Sequence, residues 1–305
     1  MHRYKSAVNG RWDRNATVRV APRPIHAKEG HFDYFSRKLV PAVNHPILLQ
    51  QPTDAQQALL IHHNYAFSRA TSKLETDILN PTLLTLAEGF ENLPLPEDLR
   101  FDARSIYADE SYHALVAEDG IRRIAAQTGV EFMTALTPEG YRELDRAAAE
   151  FGHEHFPLVR FLFSFVLETL VSDTFTVVPD DPAVHPFVRE SVGQHRKDER
   201  VHHEFFRAAF RAIWPGLSPR EKRIGAAVIP RFIQTFTEPD DAQLRMILWA
   251  VGLSAAEADA VVTGSAPLPV DGRAAARFTL RYCRQAGVTK DPEAARLFRM
   301  ARLID

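Results

Sequence analysis

The sequence predicts an all-α helical bundle. Three features carry that prediction: long segments with apolar residues at helical spacing, start and stop signals where those segments change, and no convincing strand pair. The chain has 305 residues, 45% hydrophobic and 25% charged, the composition of one large folded domain or two modest ones. Residues 1–50 hold Pro22, Pro24, Pro41 and Pro46 and no sustained period, which predicts an arm laid over the main body. Residues 51–305 read as a single helical domain, with a core at about 55–215 and additional helices in 218–305.

From Thr53 the apolar residues keep helical spacing for some thirty positions, with Pro81 as the expected kink or break, so one bent helix or two segments fit. After the break LPLPEDLR, a long segment from about Phe101 to Thr128 stops at Gly129, where a C-terminal cap belongs. Thr137, Pro138 and Glu139 then supply an N-cap, a first-turn proline and an acid, and Gly152 ends the helix they open. The segment PLVRFLFSFVLETLVSDTFTVV is apolar nearly all round, as a helix at the centre of a bundle would be; its β-branched content also permits a buried strand, but its length favours a helix. Phe187 to Ile213 is helical and rich in His, Glu and Arg. Ser218 with Glu221 and Ser254 with Glu257 form capping boxes, and Asp291 with Pro292 opens the last helix.

A formal net charge of -2 gives no electrostatic reason to expect nucleic acid or an anionic membrane as partner, so a small molecule is the expected ligand. The single cysteine, Cys283, permits neither an internal disulfide nor a cysteine-built metal site, and it suits a reducing compartment. The start MHRYKSAVNGRWDRNATVRV lacks the apolar run of a secretory signal, and the most apolar stretch, Phe161 to Leu167, falls far short of the roughly 20 residues of a membrane span. The expected location is the cytoplasm, and any metal must sit on histidines and carboxylates.

The segment QHRKDERVHHEFF places His195, Glu199 and His202 at offsets of four and seven residues. On an α-helix those offsets rotate by about 40° and about -20°, so the three side chains share one stripe. A solvated face would carry charges too, but it gives no reason for two imidazoles in register with a carboxylate. Glu110 and His113 stand three apart, the Glu-x-x-His spacing that di-iron bundles use, and Glu199 with His202 repeats it. A third match, Glu150 with His153, is discarded because Gly152 and Pro157 put it at a helix end.

Glu168 lies inside FLFSFVLETLV, where an ionised carboxylate costs several kcal/mol unless a cation compensates it. A buried arginine or a protonated carboxyl would also meet that need. Glu75 shares an apolar stripe with Leu74, Ile78 and Leu79 and is selected as the fourth helix's acid, with Asp77 the nearest competitor. Asp109 and Asp198 stand beside ligand candidates and either accept the spare N–H of an imidazole or face solvent. His62, His63, His153 and His155 read as surface or cap histidines, and His203 and Glu204 as pointing elsewhere. Tyr107 and Tyr112 flank Glu110 and either line the pocket or pack in the core, packing being the expectation, and Cys283 reads as inert.

The order Glu, Glu-x-x-His, Glu, His-x-x-x-Glu-x-x-His has gaps of 35 residues from Glu75 to Glu110, 58 to Glu168 and 27 to His195. It closely resembles the p-aminobenzoate N-oxygenase (AurF-like) family of non-haem di-iron oxygenases. His195 is the telling part, because ordinary ferritin-like di-iron proteins have only the two Glu-x-x-His pairs. The resemblance covers roughly residues 55–215. It implies a ferritin-like bundle in which Glu75, Glu110, His113, Glu168, His195, Glu199 and His202 bind two iron ions, ferrous or ferric, with manganese also compatible with these donors. It further implies a monooxygenase, acting in biosynthesis, that uses O₂ and an external electron donor to oxidise an amine nitrogen to hydroxylamine, nitroso or nitro. A homodimer is implied as well.

Whether the amine is aromatic or aliphatic is left open by the residues. A di-iron C–H hydroxylase or desaturase is the alternative reaction, and neither a fatty-acyl desaturase nor a ribonucleotide reductase small subunit, which would share the metal, explains His195. A ferritin would be shorter and more acidic, and a metal-free helical interaction protein would treat the seven residues as coincidence.

Overall fold

The computed structural model describes residues 6, 8, 11–24, 30–90, 93, 95–133, 139–265 and 271–305. Short helices α1 (Trp12–Asn15), α2 (Thr17–Val20) and α3 (Pro46–Leu49) lead into α4 (Thr53–Leu74), which passes through a π turn at Glu75–Leu79 into α5 (Asn80–Glu88). These are followed by α6 (Glu97–Thr128), α7 (Glu139–Phe151), α8 (Phe156–Thr169), α9 (Asp173–Val177) and α10 (Pro186–Ile213). An outer set completes the chain: α11 (Pro219–Thr237), α12 (Asp241–Ala250), α13 (Ala255–Gly264), α14 (Gly272–Ala275), α15 (Arg277–Gln285) and α16 (Pro292–Met300). Among the described residues the only β pairing is two isolated bridges, Asp33 with Val184 and Phe90 with Leu93. The all-α expectation holds.

Four rods form the centre. Helix α6 packs against α4, α5 and α10, while α8 packs against α10 and α11. α4 and α5 run on from one another through the π turn, just ahead of Pro81, which has no N–H to give and whose ring crowds the carbonyl four residues back. α6 starts at Glu97, inside the stretch read as a break, since Pro96 followed by Glu97 and Asp98 presents acids to the positive end of the helix. It stops at Gly129, whose φ of 72° only a residue without Cβ adopts freely. The capping boxes at Ser218 and Ser254 form, and the Asp291 side chain caps α16. The expected cap at Thr137 and Pro138 lies outside the described residues.

One expectation needs correction. The apolar segment that begins at Pro157 is not a single helix: α8 ends at Thr169, Leu170 turns extended, and the Val171 N–H donates to the Ala275 carbonyl at 3.0 Å before α9 begins. A hydrogen bond to the outer set outweighs the local helical preference there.

Two apolar clusters fill the interior. One gathers Ile78, Leu83, Ile106, Phe165, Phe206 and Phe210 with α11, α15 and α16. The other gathers Val43, Leu59, Tyr65, Ile121, Val188 and Val192 with α12 and α13. Along α6 the buried polar residues Asp109, Glu110 and His113 lie between Ile106 and Ile121, and along α10 residues 195–202 lie between Val192 and Phe205. The polar site thus separates the two cores.

Candidate metal centre

Each rod contributes donors to that polar layer. Glu75 comes from the π turn, Glu110 and His113 from α6, Glu168 from the last turn of α8, and His195, Glu199 and His202 from α10. Glu110 and His202 are completely buried, and Glu75, His113 and Glu168 nearly so.

Two overlapping groups form. Glu75, Glu110, His113 and His195 have donor atoms within 4.8 Å of one another, and so do Glu110, His113, Glu199 and His202. In the first, His195 Nε2 lies 3.2 Å from Glu75 Oε1, and His113 Nδ1 lies 3.3 Å from Glu110 Oε2. In the second, His202 Nδ1 lies 3.0 Å from Glu110 Oε1 and 3.6 Å from Glu199 Oε1. Glu168 stands at the edge, its Oε2 3.9 Å from His202 Nδ1. The rings of His113 and His195 stack at 3.9 Å. The structure therefore brings together all seven residues selected from the sequence, with Glu168 reaching only the His202 side.

Asp109 and Asp198 take up the opposite faces of two imidazoles. His202 Nε2 is 3.3 Å from Asp109 Oδ2, and His113 Nε2 is 3.0 Å from Asp198 Oδ2. An ionised carboxylate can only accept, so each Nε2 donates its N–H to the aspartate and leaves Nδ1 to face the glutamates, where it donates while the imidazole is charged and offers a lone pair once it is neutral.

The charges are in tension. Burial, followed by the neighbouring glutamate charges, pushes Glu75 and Glu168 well above the usual carboxylate range. Burial opposes ionisation of Glu110 and Glu199 too, but the histidines outweigh it and hold both low: His202 acts first on Glu110, and His195 first on Glu199. Burial likewise disfavours a charged His113, yet its hydrogen bonds to Asp198 and Glu110 carry it up to about 10. Protons on imidazoles balance the carboxylates here, a role that metal cations would fill with less crowding.

A large cleft of about 1270 Å³ opens onto this layer. Glu75, Glu168, His195 and Glu199 line it, together with Trp12 and Arg14 and with Phe278 and Arg281 of α15. A second cavity of about 50 Å³ lies against His113 and His195 on the other side. Tyr112 lines it, whereas Tyr107 packs on the core as expected.

Other readings are mixed. His203 turns away, its Nε2 2.7 Å from the Tyr282 hydroxyl, and Cys283 is buried with its thiol pKa pushed up. His153 is exposed, but His62 is buried inside α4 and His63 stacks on Phe35, so neither is a surface histidine. The helical stripe that buries Leu59 and Tyr65 takes them inward. The residues that sequence reasoning missed are Trp12 and Thr17, which bond Asp109 and Asp198 from a segment with no periodic signal.

The family pattern described as P-aminobenzoate N-oxygenase AurF matches residues 11–261. The chain belongs to the AurF family. Membership makes it an oxygenase with a helical fold of ferritin-like type. The AurF match is wider than the motif-bearing stretch of about 55–215. It takes in α1 and α2 at one end and α12 at the other, and stops within α13. No helix among the described residues is long and apolar enough to cross a membrane.

Proposed function

We propose that this chain is a di-iron N-oxygenase that uses O₂ to oxidise the nitrogen of a small-molecule amine. One observation carries the reading. Glu75 Oε2 and Glu168 Oε2 are buried with no hydrogen-bond partner, and Glu110 Oε1 and His202 Nδ1, 3.0 Å apart, have none outside the cluster. Orphaned lone pairs on buried carboxylates and an imidazole fit a pair of cations, and a mixed oxygen and nitrogen donor set suits iron, with manganese compatible. Glu75, Glu110, His113 and His195 would hold one ion, and Glu110, Glu168, Glu199 and His202 the other.

When bound, the metal pair supplies the electrons and Lewis acidity that activate O₂. The chain's own residues set the conditions for that chemistry. Asp109 and Asp198 fix the tautomers of His202 and His113 so that the Nδ1 lone pairs face inward. Leu79, Leu167 and Phe175 give the cleft dry walls, and Phe278 and Phe236 offer apolar surface to an organic substrate. An external electron donor completes the set of partners. The family name places p-aminobenzoate in the substrate class to test first. The lone unpaired cysteine suits a reducing, cytoplasmic setting.

Metal analysis after iron-replete expression is the first test, with about two irons per chain expected and a loss in Glu168→Ala and His195→Ala. A wild-type chain that stays metal-free rejects the reading. Turnover of an amine panel then assigns the reaction: hydroxylamine, nitroso or nitro products support N-oxygenation, and a hydroxylated carbon or an alkene assigns the site to C–H chemistry instead.

A further inference from the structure

The two carboxylates that orient the histidines are themselves gripped from one short stretch of chain. Asp109 gives Oδ2 to His202, and its other oxygen, Oδ1, accepts the Trp12 indole N–H at 2.9 Å. Asp198 gives Oδ2 to His113 and also accepts the Thr17 hydroxyl there, while its Oδ1 accepts the Thr17 backbone N–H at 3.2 Å. Both aspartates are buried, 2% and 4% exposed, so no bulk water competes for those oxygens. The far end of the stretch is pinned as well: the Pro22 carbonyl accepts from Gln194 of α10 at 3.3 Å, and Arg23 lies 3.5 Å from Asp119 of α6.

A carboxylate held through one oxygen can swing about its bond to Cβ, and the imidazole it holds swings with it. A second donor on the other oxygen removes that freedom. We propose that residues 12–17 form a latch on the metal centre, with Trp12 and Thr17 as positioning residues that fix His202 and His113 and slow the loss of metal. The inference rests on the di-iron reading and adds to it. It assigns one clasp to each half of the site, both from a segment that itself holds no ligand.

The test uses the full chain with Co²⁺ alone as probe. It compares Trp12→Phe, Thr17→Val and the conservative Thr17→Ser for the cobalt d–d spectrum, the rate of chelator-driven release and the melting midpoint without metal. A latch predicts release about tenfold faster or more in Trp12→Phe and Thr17→Val, with altered d–d bands. It also predicts recovery in Thr17→Ser and metal-free midpoints close to wild type. Wild-type spectra and release rates in both variants overturn the latch and leave the metal reading intact. A wild-type chain that takes up no cobalt removes the metal reading itself. A fall in metal-free midpoint that accounts for the faster release, with no recovery in Thr17→Ser, reduces the stretch to ordinary packing and also overturns the proposal. Should Trp12→Phe fail to fold, the Thr17 pair decides alone.

Discussion

Glu168 is the residue whose environment agrees least with its charge. Nine of its companions on α8, including Phe161, Phe163 and Phe165, are buried with it, and its Oε2 has no partner. Burying a polar group without a hydrogen-bond partner costs about 1–3 kcal/mol, a cost that an apolar side chain of similar size does not carry. Glu168→Leu should therefore raise the stability of the metal-free chain while lowering its metal content, two readings of opposite sign from urea titration and elemental analysis. A variant that loses stability without metal would show that the carboxyl is satisfied by the fold alone.

His63 offers a pH test. Burial, with repulsion from His62, lowers its pKa from 6.5 to about 4. The unfolded chain takes up its proton near 6.5 and the folded chain only near 4, so this residue costs nothing above pH 6.5. Stability should decline as the pH falls from 6.5 toward 4, by at most about 1.4 kcal/mol per pH unit from this group. Denaturant midpoints at pH 7 and pH 4.5 should differ less in His63→Phe than in wild type.

At the scale of elements, the π turn is the feature that regular helix periodicity does not show. Glu75 opens it and the buried Ile78 and Leu79 close it, while Thr76 is exposed. One extra residue in the turn lets the acid face the polar layer and the two apolar residues face the core. Deleting Thr76 should restore a regular helix and force a choice: either Glu75 or the pair Ile78 and Leu79 leaves its place. Far-ultraviolet dichroism should stay helical while metal stoichiometry or the melting temperature falls, and a deletion variant that keeps both would mean the turn is incidental.

The same scale explains what could be read from residues and what could not. Glu110, His113, His195, Glu199 and His202 stand at fixed offsets inside long helices, so residue type and spacing already put them on shared faces. Glu168 was legible because its neighbours are apolar, and Glu75 only because the set needed an acid. Trp12 and Thr17 meet their aspartates across 97 and 181 residues of sequence, from a segment without period, and no local pattern encodes such a meeting. The break after Thr169 escaped for the same reason, since its partner, Ala275, is over a hundred residues away.

For the whole molecule, the site joins rods that otherwise meet through two separate apolar cores. Metal bound there would tie all four together, and a ligand that binds only the folded state stabilises it in proportion to its affinity. Stripping metal with a chelator should lower the melting temperature by several degrees, and iron or cobalt should restore it. The shift should vanish in His195→Ala, whereas an equal shift in that variant would place the metal elsewhere.

The cleft is built by two layers with different obligations. Glu75 of the π turn, Glu168 of α8, and His195 and Glu199 of α10 line it with donors, but Arg277, Phe278, Arg281 and Tyr282, which line it too, lie past residue 261, where the family match ends. Those outer side chains contribute no donor to either metal group. Substitutions among those four should therefore change which molecules the cleft admits while metal content stays as it is.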